Sequence, residues 1–185
     1  MTQTNADLLQ GLNIYLIGMM GVGKTAAGQA VAQKLNYRFF DTDDLITRVQ
    51  GEAITDIFAK EGETYFRDLE TKVLEELSTR TRSVIATGGG IILKSYNWSF
   101  LQQGLVVWLD AGVDLIMERL ANDNSRPLLQ TENPKQKLET LLSERRSSYA
   151  QADLQVMIKP EQSPGEVASE IMEKIPSVIK EQSHQ

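Results

Sequence analysis

The chain contains no cysteine, which excludes disulfides, iron–sulfur clusters and thiolate zinc sites. Its single histidine, His184, stands one residue from the C-terminal end of the sequence. A Ser-His-Asp triad or a histidine metal cage therefore has no histidine to use. Proton transfer falls to a carboxylate, a lysine, a tyrosine or water. No apolar stretch approaches the ~20 residues that a membrane-spanning helix needs. There is no excess of basic charge either: 19 Lys and Arg stand against 25 Asp and Glu, a net charge of −6. That balance argues against nucleic acid or an anionic membrane as partner, and leaves room for a locally positive pocket around a small anion. The opening MTQTNADLLQ lacks the charged-then-apolar pattern of a signal peptide and the Arg-rich pattern of a transit peptide. The cytoplasm is the expected location and a monomer the expected state.

What is present is ordinary globular composition. The 185 residues are 41% hydrophobic and 24% charged, enough for one domain with one sizeable core. Repeats and low-complexity linkers are absent, and about ten polar residues at each end (1–10 and 176–185) are expected to be flexible tails. Between them, short apolar runs alternate with helical patterns. Strands are expected at Asn13–Ile17, Arg38–Phe40, Val84–Thr87, Leu105–Leu109 and Leu154–Ile158. Helices are expected at Thr25–Leu35, Asp44–Gln50, Thr55–Lys60, Glu63–Arg80, Ser95–Gln102, Val113–Ala121, Lys135–Ala150 and Gly165–Ile175, with a polar loop over Asn122–Asn133. Continuous apolar strands separated by helices indicate a five-stranded parallel sheet covered on both faces, a three-layer α/β/α sandwich. Ligands of such folds gather at the C-terminal ends of the strands. Three unusual segments follow strand ends and should meet there.

The first is Gly18-Met19-Met20-Gly21-Val22-Gly23-Lys24-Thr25, which fits G-x-x-x-x-G-K-[ST]. Glycines let the backbone turn its N–H groups around phosphate oxygens, and the following helix N-terminus adds partial positive charge. Lys24 can reach the β- and γ-phosphates of a nucleotide, and the Thr25 hydroxyl can ligate Mg²⁺. The backbone of Gly21, Val22, Gly23, Lys24, Thr25 and Ala26 is the expected nucleotide cradle. Met19 and Met20 are expected to be packing residues or spacers. The plainer reading is a glycine-rich strand-to-helix turn. A guanine-reading [NT]-K-x-D is missing; Thr71-Lys72-Val73-Leu74 comes nearest and lacks the Asp. That lowers the GTPase reading and leaves small kinases and ATPases.

The second segment is Asp41-Thr42-Asp43-Asp44. One of Asp43 and Asp44 is expected to cap the next helix. Three acids in four residues exceed what one cap requires. Carboxylates near Thr25 could hold Mg²⁺ through its waters, and one pointing the other way could accept a hydrogen bond from a substrate hydroxyl. The third is Gly88-Gly89-Gly90, a tight loop that also lets a substrate touch bare backbone.

Helical spacing sharpens the arginines. On Lys135–Ala150, Leu138, Leu141, Leu142 and Tyr149 form an apolar stripe with Arg145 in its middle and Arg146 at its edge. A charge among apolar neighbours needs a partner. On Glu63–Arg80, Phe66, Leu69, Val73 and Leu77 make the stripe, Glu70 lies within it and Arg67 on its margin. Arg67 and Glu70 can pair at i, i+3, as a structural salt bridge or as part of a site. Two inward arginines with one inward acid suit capture of an organic carboxylate. Arg126, in the polar loop, is either solvated or closes over a transferring phosphate.

Together GMMGVGKT, FFDTDDLI, ITDIFAKEGETYFRDLE, TGGG, SRPLL and the Glu144-Arg145 to Tyr149 stretch resemble the shikimate kinases, in that family's order, over about residues 12 to 175. These are small P-loop kinases related in fold to nucleoside monophosphate kinases. The resemblance implies a P-loop NTPase-type fold as a single domain over 1–185. Its lid would lie about 122–133 and its substrate-binding helices about 44–80. It implies ATP and Mg²⁺ as cofactors, shikimate as the small-molecule partner, and transfer of the γ-phosphate to the shikimate 3-hydroxyl. It further implies that Lys24 contacts the phosphates, that Thr25 ligates Mg²⁺ with Asp41 supporting it through water, and that Asp43 binds the reacting hydroxyl and is the candidate base. Arg67 and Arg145 would hold the carboxylate, with Gly88, Gly89 and Gly90 lining the ring and Glu70 orienting the arginines. Arg126 matches the lid arginine, Arg119 the arginine beneath the adenine, and Gln162-Ser163-Pro164 the adenine-side loop. Many relatives carry a basic residue where Gln162 stands. A kinase of another polyol acid such as gluconate, and a nucleotide-binding switch without turnover, are the alternatives.

Overall fold

The computed structural model describes residues 4–123 and 127–182. Its frame is a parallel sheet of β1 (Ile14–Ile17), β2 (Arg38–Asp41), β3 (Ser83–Ala86), β4 (Leu105–Asp110) and β5 (Leu154–Met157). They lie side by side in the order β2-β3-β1-β4-β5. The three central strands β3, β1 and β4 are buried at every residue, as their unbroken apolar runs require. The edges differ from the expectation of full cover. β5 alternates buried and exposed residues, and Arg38 leaves β2 open at its start, because each edge strand has a neighbour on one side only.

The helices are α1 (Asn5–Leu9), α2 (Lys24–Leu35), α3 (Thr42–Gln50), α4 (Ile54–Ser78), α5 (Ser95–Leu101), α6 (Val113–Leu120), α7 (Pro134–Tyr149) and α8 (Pro164–Gln182). Short 3₁₀ turns follow β3 at Ile91–Leu93 and stand within the expected polar loop at Pro127–Leu129. The two helices expected over 55–80 form one segment, α4, bent where Gly62 takes φ 83°, ψ 173°. A glycine absorbs that conformation without steric cost. Leu74 joins Phe66 and Leu77 in the core, while Leu69 and Val73 are only half-buried. α2 lies so close to the sheet that a side-chain carbon on Gly28 would come within 2.7 Å of the Phe39 ring.

Both expected tails are corrected over their described parts. Thr4 and Asp7 close a reciprocal capping box on α1, and Leu9 is fully buried. Leu9 gives an otherwise polar stretch something to anchor. α8 runs on through Pro176 to Gln182. Proline cannot donate to the carbonyl four residues back, which is that of Met172. The Asn5 side-chain amide donates to this oxygen instead, at 2.9 Å. The two chain ends thus satisfy each other. Residues 1–3 and 183–185, also within the expected tails, lie outside the described residues.

Candidate functional site

The parallel sheet delivers the C-terminal ends of β1, β2 and β3 to one edge, and the three unusual segments meet there. The glycine loop after β1 turns at Gly23, whose φ of 99° caps α2 from the left-handed region. At Gly18, a side chain would collide with the Leu109 carbonyl. Lys24 is buried, and its ammonium donates to the carbonyls of Gly18 and Met19 at 2.8 and 2.9 Å. The loop thus holds its lysine folded across its own mouth. Arg119 of α6 donates to the Val22 carbonyl at 2.8 Å and pins the loop from outside. Met19 and Met20 are both buried core residues, and Met20 also lines the cavities described below.

The Thr25 hydroxyl donates to Asp41 at 2.6 Å. Asp41, not Asp43 or Asp44, is the cap of α3. It ends β2 in an extended conformation and accepts from the Asp43 and Asp44 amides at 2.9 and 3.4 Å. The helix begins two residues earlier than expected, because its cap stands at Asp41; Thr42 opens it with a buried hydroxyl. That hydroxyl accepts the Gly88 amide at 3.0 Å and ties the acidic turn to the triple glycine. No motif in the sequence assigns Thr42 a role. Its signal is a small hydroxyl set between two acids where a strand gives way to a helix.

Each glycine of the triplet stands against a charged side chain. A side chain on Gly88 would strike Glu70 and come within 3.0 Å of Asp43; on Gly90 it would strike the Arg67 guanidinium; on Gly89 it would approach Arg145 to 3.7 Å. Arg67 is clamped at 2.6 Å to Glu70, the expected i, i+3 pair, and at 3.0 Å to Glu63. Arg145 is 3% exposed, as its place in the apolar stripe requires. Its Nη1 is buried with no hydrogen-bond partner among the described residues. Arg146 points outward, 3.2 Å from Asp110 and over the Trp108 ring. Leu142, expected in the stripe, is half-buried.

Glu70 is almost fully buried, and one carboxylate oxygen has no hydrogen-bond partner among the described residues. Burial pushes its pKa up to about 7, against the opposing pull of Arg67. A carboxyl raised in the folded state binds its proton more tightly there than in the unfolded chain. Its stabilising contribution is complete below about 4.5 and is lost as pH rises to about 7. Chemical denaturation across that window should therefore show wild-type stability falling relative to Glu70→Gln by on the order of 1–3 kcal/mol. Parallel stability curves for the two proteins would refute the shift.

A cleft of about 600 Å³ runs over Lys24, Thr25, Asp41, Asp43, Gly88 and Arg119. A smaller cavity of about 50 Å³ adjoins it, between Met20, Asp43, Arg67, Glu70, Gly90 and Arg145, with Pro127 and Leu128 at its rim. Asp43 and Gly88 line both. A third space of about 230 Å³ lies on the far side of Arg119, against Val22, Ala26, Gln162 and Pro164. The Gln162 carboxamide is engaged there with Glu170 and the Lys159 amide. Arg126 lies outside the described residues. Gly90→Ala should push the Arg67 guanidinium out of place and cost about 10²-fold in kcat/KM, as ångström-scale misplacement does. Kinetics within threefold of wild type would show that the close approach does not matter.

The shikimate kinase family model matches residues 20–176. A shikimate kinase from Rippkaea orientalis is 56% identical over 173 residues, covering 94% of this chain and 92% of its own. Among solved structures, shikimate kinase from Acinetobacter baumannii in complex with shikimate superposes with a TM-score of 0.89 at 42% identity, over 94% of this chain and 97% of its own. A gluconokinase from Sinorhizobium meliloti shares the fold at a TM-score of 0.57 and 19% identity, over 95% of this chain and 97% of its own. Matched along nearly its whole length in sequence and in structure, the chain belongs to the shikimate kinase family.

Proposed function

We propose that this chain transfers the γ-phosphate of ATP to the 3-hydroxyl of shikimate, giving shikimate 3-phosphate and ADP. The observation that carries the reading is the pair of adjoining cavities that share Asp43 and Gly88. One is lined by the phosphate-loop residues Lys24 and Thr25, the other by Arg67 and Arg145. A donor in the first and a carboxylate-bearing acceptor in the second would meet at Asp43. Turnover then needs positioning and charge neutralisation rather than a histidine.

Lys24 would exchange its loop carbonyls for the phosphates. The Thr25–Asp41 pair is a hard oxygen donor set with its hydroxyl and carboxylate already aligned, which fits Mg²⁺ held mainly through water and phosphate. When bound, Mg²⁺ neutralises charge on the transferring phosphate. Arg119 would flank the nucleotide, with Gln162 beside it. Arg67 and Arg145 would fork onto the acceptor carboxylate, and the triple glycine would give the ring bare backbone to lie on. Arg126 would close the lid: Arg126→Ala should lower kcat by about 10²-fold, as loss of one charge-stabilising donor does, while the protein stays folded. An unchanged kcat would refute that role.

ADP release with Mg-ATP over shikimate, gluconate and nucleoside monophosphates tests the whole reading. Turnover with shikimate alone is expected. Shikimate-independent or gluconate-dependent release would overturn it. The protein is proposed to act as a cytoplasmic monomer on a small molecule, without nucleic acid or membrane as partner; among the described residues no helix is long and apolar enough to cross a membrane.

A further inference from the structure

The two arginines of the acceptor cavity are held by different means. Arg67 is fixed by two carboxylates, Glu63 and Glu70. Arg145 has no carboxylate within ion-pairing distance among the described residues, and Glu70 acts on it only through space. A buried guanidinium with a free Nη1 needs something else to set its direction. One helical turn further along α7, Tyr149 is fully buried. Its ring stacks on Trp108 at 5.8 Å between centroids, and its hydroxyl donates to the Gly89 carbonyl. A side-chain carbon on Gly89 would stand 3.7 Å from the Arg145 Nη1, so the guanidinium and the phenol meet at the same glycine. With the hydroxyl proton committed to Gly89, the oxygen lone pairs are what the phenol offers a neighbouring cation. Burial pushes the phenol up to about 12, so the donated proton stays in place.

Thus one side chain joins the triple glycine, which lines the acceptor cavity, to the helix that carries Arg145. Trp108 packs against both Tyr149 and the outward Arg146, and with Tyr149 fully buried its ring has little freedom to turn. We propose that Tyr149 is a positioning residue for acceptor binding: its hydroxyl sets the distance and angle between Arg145 and the triple glycine. This rests on the reading that Arg145 holds the acceptor carboxylate.

Tyr149→Phe removes the hydroxyl and keeps the stacked ring. Steady-state kinetics on the purified full chain should show shikimate KM raised about 10-fold, the loss expected for one hydrogen bond. The KM for ATP should stay within twofold and kcat within threefold. Any fall in melting temperature should leave the protein folded at the assay temperature. The same substitution in an Arg145→Ala background should change kcat/KM for shikimate by less than twofold, because the group being positioned has gone. A shikimate KM within twofold of wild type would overturn the proposal. So would equal increases in both KM values, which signal general loosening, or a full-strength effect that persists without Arg145. If Arg145→Ala itself leaves the shikimate KM unchanged, the carboxylate reading fails first, and the two failures are told apart.

Discussion

Asp43→Asn is expected to lower kcat by about 10²–10⁴-fold, the contribution of a positioned general acid–base group, while the KM for ATP stays within a fewfold of wild type. Asp43 stands in the first turn of α3 beside the cap formed by Asp41. From there it lines both the cleft over the phosphate loop and the cavity of the arginines. Among the described residues no other acidic side chain lines both. A hydroxyl presented from the second cavity to a phosphate in the first must pass within its reach. Asparagine keeps the size and one acceptor oxygen but cannot take a proton. If Asn retains most of the activity that Ala loses, Asp43 orients the hydroxyl; if both fail alike, it takes the proton. A loss below tenfold in both would show that Asp43 does neither, and the meeting of the two cavities would lose its chemical meaning. Circular dichroism on both variants separates these outcomes from unfolding, since Asp43 is only half-buried and Asp41 keeps the helix cap.

The parts of this site differ in how far a single sequence reveals them, and the difference is one of range. The phosphate loop is local: eight consecutive residues between a strand and a helix state their own geometry. The inward faces of Arg67, Glu70 and Arg145 are readable at one further remove, because helical periodicity shows which residues share a face with the core. What those side chains meet is not readable that way. That Gly88, Gly89 and Gly90 each confront a different charged residue depends on β3 lying between β2 and β1, and strand order is set by crossovers that leave no local trace. The same holds for Thr42 on Gly88 and Tyr149 on Gly89, hydrogen bonds spanning 46 and 60 positions. The cap of α3 is ambiguous in the sequence for a smaller reason. Any of three neighbouring acids can cap a helix, and the one that does is the one at which β2 ends, Asp41. At the chain ends polarity suggests fraying, but one buried leucine and one asparagine suffice when another helix is there to receive them.

Arg145→Ala is expected to raise the KM for shikimate by about 10²-fold or more, since truncating one partner of a buried, hydrogen-bonded charge pair costs about 2–5 kcal/mol. Arg146→Ala, one residue on, should change it by less than threefold. The contrast follows from burial. Arg145 is 3% exposed, whereas the Arg146 side chain is 59% exposed and spends its charge on Asp110 and Trp108. Equal effects would refute the assignment of the two faces of α7. Stability should move the other way. In the absence of substrate, Arg145 is a buried cation without a carboxylate partner among the described residues, a costly arrangement for the fold. Arg145→Met keeps much of the packing of the stem and removes the charge. It should melt no lower than wild type, and higher if the cost is not offset by Glu70 and Tyr149. Shikimate should narrow that gap, because its carboxylate would supply the missing partner to wild type and nothing to the variant. Thermal shifts with and without shikimate therefore test the proposed role of Arg145 independently of turnover.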